Sequence, residues 1–229
     1  MYENCKIINP KISHEYTLIL LHPMQCSCNY FDNFIEFLNN QDKYKNLLNI
    51  VKFIFPQSPI MDIDFPSNKL TNQYSWYNYY SCYNNKNKID NINIDHYENQ
   101  TLRIKNIIKN EVQILKKYNK IFLGGISQGG TLIFNVLKSL PYNIGGLICI
   151  KSILMYKYTK LNEKYKNTPI YIFIAEKDDI YNLTLQKSCL NILKNNKLDY
   201  YTNFYPNLDH YSISNNEQEF IANILLNKT

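Results

Sequence analysis

The sequence is poor in several things at once. It has 6 glycines, 4 histidines, one tryptophan and, at Arg103, one arginine. Alanine stands only at Ala175 and Ala222. No apolar run approaches the ~18–20 residues that a membrane-spanning helix needs. The low glycine count excludes a collagen-like chain. Six cysteines in 229 residues do not make a disulfide scaffold, which belongs to much shorter chains. Cys26 and Cys28 are too close for an ordinary disulfide, and no second Cys/His pair stands at zinc-finger spacing. Cys149 lies in an apolar run and reads as a small core residue. The N-terminus has no signal-peptide core, so reduced thiols and a cytoplasmic location are expected. The near absence of arginine argues against nucleic-acid readout, which uses its bidentate fork.

What is present is lysine, asparagine, isoleucine and tyrosine in excess, with a net charge of +6. The lysines are scattered, which suits a solvated surface, with at most transient contact with a membrane surface. The length suits one domain over residues 1–229. Short apolar runs alternate with longer amphipathic ones. Strands are expected at 17–21, 51–55 (stopped by Pro56), 120–124, 146–150, 169–174 and 199–205. Helices are expected at 29–38, 98–118, 129–140, 181–193 and 217–226. The long helix would turn Leu102, Ile104, Ile107, Ile108, Val112 and Leu115 to the core. Continuous apolar strands between helices imply an α/β fold: a mostly parallel sheet with helices on both faces. Residues 57–93 read as an irregular, lid-like Asn/Tyr-rich insertion containing Trp76.

The most informative segment is Ile121-Phe122-Leu123-Gly124-Gly125-Ile126-Ser127-Gln128-Gly129-Gly130. An apolar strand runs into G-x-S-x-G, and an amphipathic helix follows. Such a turn is sharp enough to strain the backbone at Ser127, and side chains at 125 or 129 would meet neighbouring backbone. It lifts the Ser127 Oγ to the carboxyl end of the sheet, beside the positive end of a helix.

A serine hydroxyl needs a base, and the base needs a carboxylate to orient it. After a strand–turn–helix of this kind the chain order is serine, acid, histidine. His210 is the only histidine beyond Ser127. The acid should follow a strand between them. Asp178 and Asp179 both follow the strand ending at Ala175, with Asp178 preferred. Asp209 adjoins His210 in sequence and should point away, and Asp199 begins a strand at the wrong end. An oxyanion hole needs two N–H donors. Gln128 follows the nucleophile, and the loop after the first central strand supplies the second. Pro23 has no N–H, which leaves Met24.

Together these segments resemble the acyl-protein thioesterase, lysophospholipase and carboxylesterase branch of the α/β-hydrolases, over about residues 17–226. Residues 124–130 are similar to the family's G-G-F-S-Q-G-G. Val51–Pro59 resembles its strand ending in P-x-A-P, and Ser75-Trp76-Tyr77 resembles its S-W-F/Y segment near the substrate groove. Ala175-Glu176-Lys177-Asp178 resembles its G-x-x-D. Tyr205–His210 resembles its Y-x-G-x-x-H. The resemblance implies a Ser127–His210–Asp178 triad, Met24 and Gln128 as oxyanion donors, and hydrolysis of acyl esters or thioesters without metal or cofactor. Phe65, Leu70, Tyr74, Trp76 and Tyr77 would wall an acyl groove. Departures fall in the family's L-H-G-x-G-D, where this chain has Pro23, Gln25 and Cys26. Asn78 replaces the usual Asp two residues after Trp. These departures leave a competing class: a catalytically impaired hydrolase-fold protein that binds an acyl chain or a partner.

Overall fold

In the computed structural model, residues 2–64, 69–81, 91–212 and 214–228 are described. In chain order the elements are β1 (Cys5–Ile8), β2 (Tyr16–Leu21), α1 (Asp32–Asn40), the single turn α2 (Leu47–Ile50), β3 (Val51–Pro56), β4 (Ile60–Ile63), β5 (Leu70–Tyr74), β6 (Tyr79–Ser81) and β7 (Asn91–Ile92). Then come α3 (Ile94–Leu115), β8 (Ile121–Ile126), α4 (Gln128–Ser139), β9 (Gly146–Ile150), β10 (Ile170–Ala175), α5 (Leu183–Asn195), β11 (Tyr200–Tyr205) and α6 (Asn215–Leu226).

The central sheet has seven strands in the order β1-β3-β2-β8-β9-β10-β11. All neighbours are parallel except β1, which runs antiparallel to β3. This is the expected α/β-hydrolase arrangement. The period-2 alternation of a strand divides its residues between two cores. Ile19 and Leu21 face a core built with α3, α4 and α5. Leu18 and Leu20 face the opposite core, with Phe34 and Leu38 of α1 and Phe220, Ile221 and Leu225 of α6. Both faces being covered explains why the parallel strands are continuously apolar.

Strand order reverses between β2 and β8: the chain moves outward one way to β3 and the other way to β9, β10 and β11. A crevice outside the carboxyl ends of the strands is the usual binding place in open α/β sheets, at such a switch point. The loops after β2 and β8 therefore meet there.

Several expectations need correction. β1 carries only four half-buried residues, too short for a periodic signal. The long helix begins at Ile94, because the Asn93 side chain caps it by accepting from His96 N. It ends at Leu115, where Lys116 turns left-handed at φ 57°. Leu102 is 54% exposed, while Tyr97, Thr101 and Glu111 are buried in its place. β3 ends at Pro56 as expected, with Pro56 itself inside the ladder, opposite Cys5 of the edge strand β1. The 57–93 segment is not irregular where it is described. It forms two antiparallel ribbons, β4–β5 and β6–β7. Among the described residues no helix is long and apolar enough to cross a membrane. Cys5, Cys26, Cys28, Cys149 and Cys189 are free thiols. Burial pushes the Cys149 thiol well above its ordinary value and that of Cys189 up to about 12, so both stay protonated core groups.

Candidate active site

Ser127 sits between the end of β8 and the first turn of α4, with φ 52° and ψ −119°. A non-glycine residue there carries strain of about 1–3 kcal/mol that its surroundings must hold in place. Those surroundings are specific. Ser127 N donates to Ile150 O at 3.0 Å. Ser127 O accepts from Ser152 Oγ at 2.7 Å and from Thr131 N at 3.1 Å. A Cβ at Gly125 would lie 2.4 Å from the Gly129 carbonyl carbon, and one at Gly129 would lie 2.5 Å from Leu21 O. Neither position admits a side chain, so the turn can be this tight and α4 can begin directly against the end of β2.

His210 reaches Ser127 from the loop after β11. Its Nε2 lies 2.9 Å from Ser127 Oγ, and its Nδ1 lies 2.8 Å from Asp178 Oδ2. A carboxylate only accepts, so Nδ1 carries the proton and Nε2 is left to accept from the serine hydroxyl. Asp178 is buried at the end of β10. Its Oδ1 accepts from Ile180 N at 2.9 Å and Tyr181 N at 2.7 Å, which fixes the carboxylate in one orientation. Asp179 is exposed and takes no part in this line. The loops that carry Asp178 and His210 are tied to each other by Glu176 N to Tyr205 O and Lys177 N to Leu208 O. Asp209 points away as expected, its Oδ1 accepting from Tyr211 N and from Ser212 N and Oγ. That turn presents His210, whose ring stands edge-on to Tyr181 and Tyr211.

Gln128 is the first residue of α4, where a backbone N–H has no acceptor within the helix. Met24 lies half-buried in the loop after β2. The loop around it is heavily braced. Gln25 N donates to Tyr74 O at 2.7 Å. Trp76 Nε1 donates to His22 O at 2.8 Å. His22 is fully buried, with Nδ1 2.7 Å from Pro23 O and Nε2 accepting from Ser58 N at 3.1 Å. Burial lowers its pKa from 6.5 to about 4, so the ring is neutral and can accept at Nε2. Gln25 occupies the left-handed region at φ 66°, at the position where the resembled motif has glycine.

The Gln128 side chain does work that the sequence reading missed. Its Oε1 accepts from Trp76 N at 2.8 Å, and its Nε2 donates to Tyr77 O and Ser75 Oγ at 2.9 Å each. It clamps the 75–77 segment onto the start of α4. A buried, fully paired amide directly after Ser127 is a signal that G-x-S-Q-G itself carried.

The expected groove residues divide. Trp76 and Tyr77 have no exposed surface. They brace the site from beneath and do not wall a groove; the Tyr77 hydroxyl bonds to Thr131 Oγ1 within α4. Leu70 and Tyr74 are half-buried on β5, and Tyr74 adjoins the Met24–Gln25 loop. Phe65 lies outside the described residues.

Comparison with known proteins bears on the fold and the family. The chain is 26% identical over 133 residues to acyl-protein thioesterase 1 of Kluyveromyces lactis, a match covering 56% of each protein. It is therefore a match to little more than half of that relative's length. It is 25% identical over 214 residues to acyl-protein thioesterase 1 of Yarrowia lipolytica, covering 89% of this chain and 88% of that one. In fold it resembles the crystal structure of Zea mays acyl-protein thioesterase 2, with a TM-score of 0.74 at 14% identity over 98% of both chains. It resembles Bacillus cereus carboxylesterase with a TM-score of 0.72 at 11% identity, over 98% of this chain and 94% of that one. Residues 2–227 match the phospholipase/carboxylesterase family, and with nearly the whole length matched, the chain belongs to that family.

Proposed function

We propose that this protein hydrolyses carboxylic esters or thioesters of acyl groups through a Ser127–His210–Asp178 triad and an acyl-enzyme. One observation carries the reading. An unbroken hydrogen-bonded line runs from a strained serine Oγ to a histidine to a buried carboxylate, with steps of 2.9 and 2.8 Å. In the first half-reaction His210 Nε2 takes the hydroxyl proton as Ser127 Oγ attacks the acyl carbonyl carbon. The carbonyl π pair moves to oxygen, and the N–H groups of Met24 and Gln128 hold the resulting oxyanion. Asp178 keeps the proton on Nδ1 and stabilises the imidazolium, without itself taking a proton. The tetrahedral intermediate collapses, the bond to the leaving alcohol or thiol breaks, and His210 protonates it. Water then repeats the sequence on the acyl-enzyme and releases the acid. No step calls for a metal or organic cofactor.

The substrate reading rests on relatives named as thioesterases and on the β4–β5 ribbon beside the Met24 loop. In this reading Leu70 and Tyr74, half-buried on β5, wall the acyl groove, with Tyr74 O accepting from Gln25 N in the loop that bears Met24. The chain acts as one domain, with 57–93 as its lid-like excursion, on acyl groups carried by a lipid, a protein or a small alcohol. The free cysteines fit a cytoplasmic setting.

A fluorophosphonate probe tests the chemistry. Wild-type protein should be labelled, and Ser127→Ala should lose both labelling and turnover of p-nitrophenyl esters, by about a millionfold in kcat. If wild-type protein takes no label and shows no Ser127-dependent turnover across esters, acyl-thioester peptides and lysophospholipids, the reading fails and the acyl-binding module takes its place.

A further inference from the structure

Lys151 and Glu217 form a buried ion pair that the triad does not include. Lys151 Nζ and Glu217 Oε1 are 2.6 Å apart, with side chains 2% and 6% exposed. Burying two such charges is unfavourable unless the geometry gives something back. A buried charged pair of this kind therefore asks for a reason.

Three observations indicate what it does. First, the lysine is placed by a strained backbone. Lys151 follows the last residue of β9 and adopts φ 47°, in the left-handed region that L side chains rarely occupy, with its side chain 2% exposed. Second, the ammonium does more than pair with the acid. It donates to His210 O at 3.4 Å and, more closely, to Ser212 O. These carbonyls flank Tyr211, within the loop that carries the base. Third, the glutamate has been drawn away from its local role. Ser214-Asn215-Asn216-Glu217 reads as a capping box, in which serine and glutamate cap the helix reciprocally. Here Ser214 is the N-cap of α6 but makes no side-chain cap bond, and its buried Oγ has no partner among the described residues. Glu217 turns to Lys151. Its carboxyl is raised above the ordinary value by burial, against the opposing pull of Lys151 and His210.

We propose that Lys151, held by Glu217, is a positioning residue for His210. It tethers the carbonyls of residues 210 and 212 to the end of β9, and so fixes the height of the imidazole over Ser127. Asp178 sets the ring's orientation and tautomer from the Nδ1 side; Lys151 sets the backbone on which the ring hangs. The β9 end also bears Ser152, whose hydroxyl holds the Ser127 carbonyl. Adjacent residues of one loop thus anchor the nucleophile turn and the base loop. This inference deepens the triad reading and rests on it.

The test uses Lys151→Met and the charge-free pair Lys151→Met/Glu217→Leu. The single variant leaves a lone buried carboxylate and can misfold; the double variant removes both charges and keeps the volume apolar. Folding is followed by circular dichroism and thermal unfolding. Two readouts separate positioning from general destabilisation. With p-nitrophenyl butyrate at a temperature where the double variant is fully folded, kcat should fall about 100-fold while KM stays within about twofold, as expected for a misplaced base. By proton NMR, the far-downfield Nδ1–H resonance of His210 in wild-type protein, identified by its loss in His210→Gln, should broaden or vanish in the double variant. A folded double variant with wild-type kcat and an unchanged Nδ1–H resonance overturns the proposal. The resonance reports loop geometry whether or not an ester is turned over. Failure of the hydrolase reading, seen as an unlabelled wild-type Ser127, is therefore distinguishable from failure of this one.

Discussion

At Asp178 the two carboxylate oxygens have separate tasks. One receives His210 Nδ1, and the other is fixed by the N–H groups of Ile180 and Tyr181. Replacing Asp178 by Asn keeps the size and much of the backbone bonding. It also lets an amide N–H face Nδ1, so the imidazole turns its proton toward Ser127. The expected loss in kcat is about 10⁴-fold, with KM little changed. Asp179→Asn alters an exposed neighbour and should leave kcat within about twofold. Steady-state kinetics on the two variants decides between adjacent carboxylates that sequence spacing alone could not separate. The nucleophile and base were the most legible residues, because scarcity identified them: a glycine-flanked serine, and one histidine beyond it. The supporting residues were hidden. Lys151 and Glu217 read as a surface lysine and a helix-start acid, since nothing local announces that two distant charges will be buried together.

The proposed oxyanion hole depends on the loop at 22–26. Its neighbours hold it at both ends, through Trp76 Nε1 on His22 O and Tyr74 O on Gln25 N. Gln25 nonetheless sits at φ 66°, a conformation that costs an L side chain about 1 kcal/mol or more. Gln25→Gly should relieve that strain and raise stability by roughly 1 kcal/mol, less the extra chain entropy that glycine brings to the unfolded state. The urea midpoint measures it; a lower midpoint would mean that the Gln25 side chain holds the loop. Elsewhere, element type was easier to read than element ends. The α3 boundary moved because a side-chain cap at Asn93 and a left-handed Lys116 set it, and neither lies in the apolar period. Trp76 and Tyr77 looked like groove residues because Ser75-Trp76-Tyr77 resembles a family segment near the substrate groove. Their burial follows from Gln128, whose amide draws the segment down onto α4.

Across the whole molecule, the parallel sheet was legible because each central strand is buried on both faces and so reads as an unbroken apolar run. The β4–β5 and β6–β7 ribbons were not, since their short, half-exposed strands in Asn/Tyr-rich sequence carry almost no alternation. Nor was the polar cluster between the N-terminus and α3. There the Glu111 carboxylate accepts from Lys52 Nζ at 2.7 Å, from Thr17 Oγ1 at 2.7 Å and from the Tyr2 hydroxyl. The fold's stability also carries a pH signature. His22 is neutral in the folded protein, lowered from 6.5 to about 4, so the unfolded chain binds the extra proton first. Its contribution is fully present above about pH 6.5. It is lost as pH falls toward 4, at up to about 1.4 kcal/mol per pH unit. His14, also lowered by burial, adds to this slope, while Glu217, raised by burial, works against it. Urea unfolding at pH 7 and pH 5 should show the loss in wild-type protein and a smaller one in His22→Gln; equal losses would remove His22 as the cause.

The covalent intermediate is the most direct test of the chemistry. The protein should be mixed with a p-nitrophenyl or thioester substrate, quenched in acid within the first turnovers, digested and weighed by mass spectrometry. The expected result is the mass of one acyl group on the peptide bearing Ser127, rising before steady state and absent from Ser127→Ala. Turnover that persists in Ser127→Ala, or steady turnover with no acyl group ever trapped on that peptide and no burst of released alcohol or thiol, would contradict a serine acyl-enzyme.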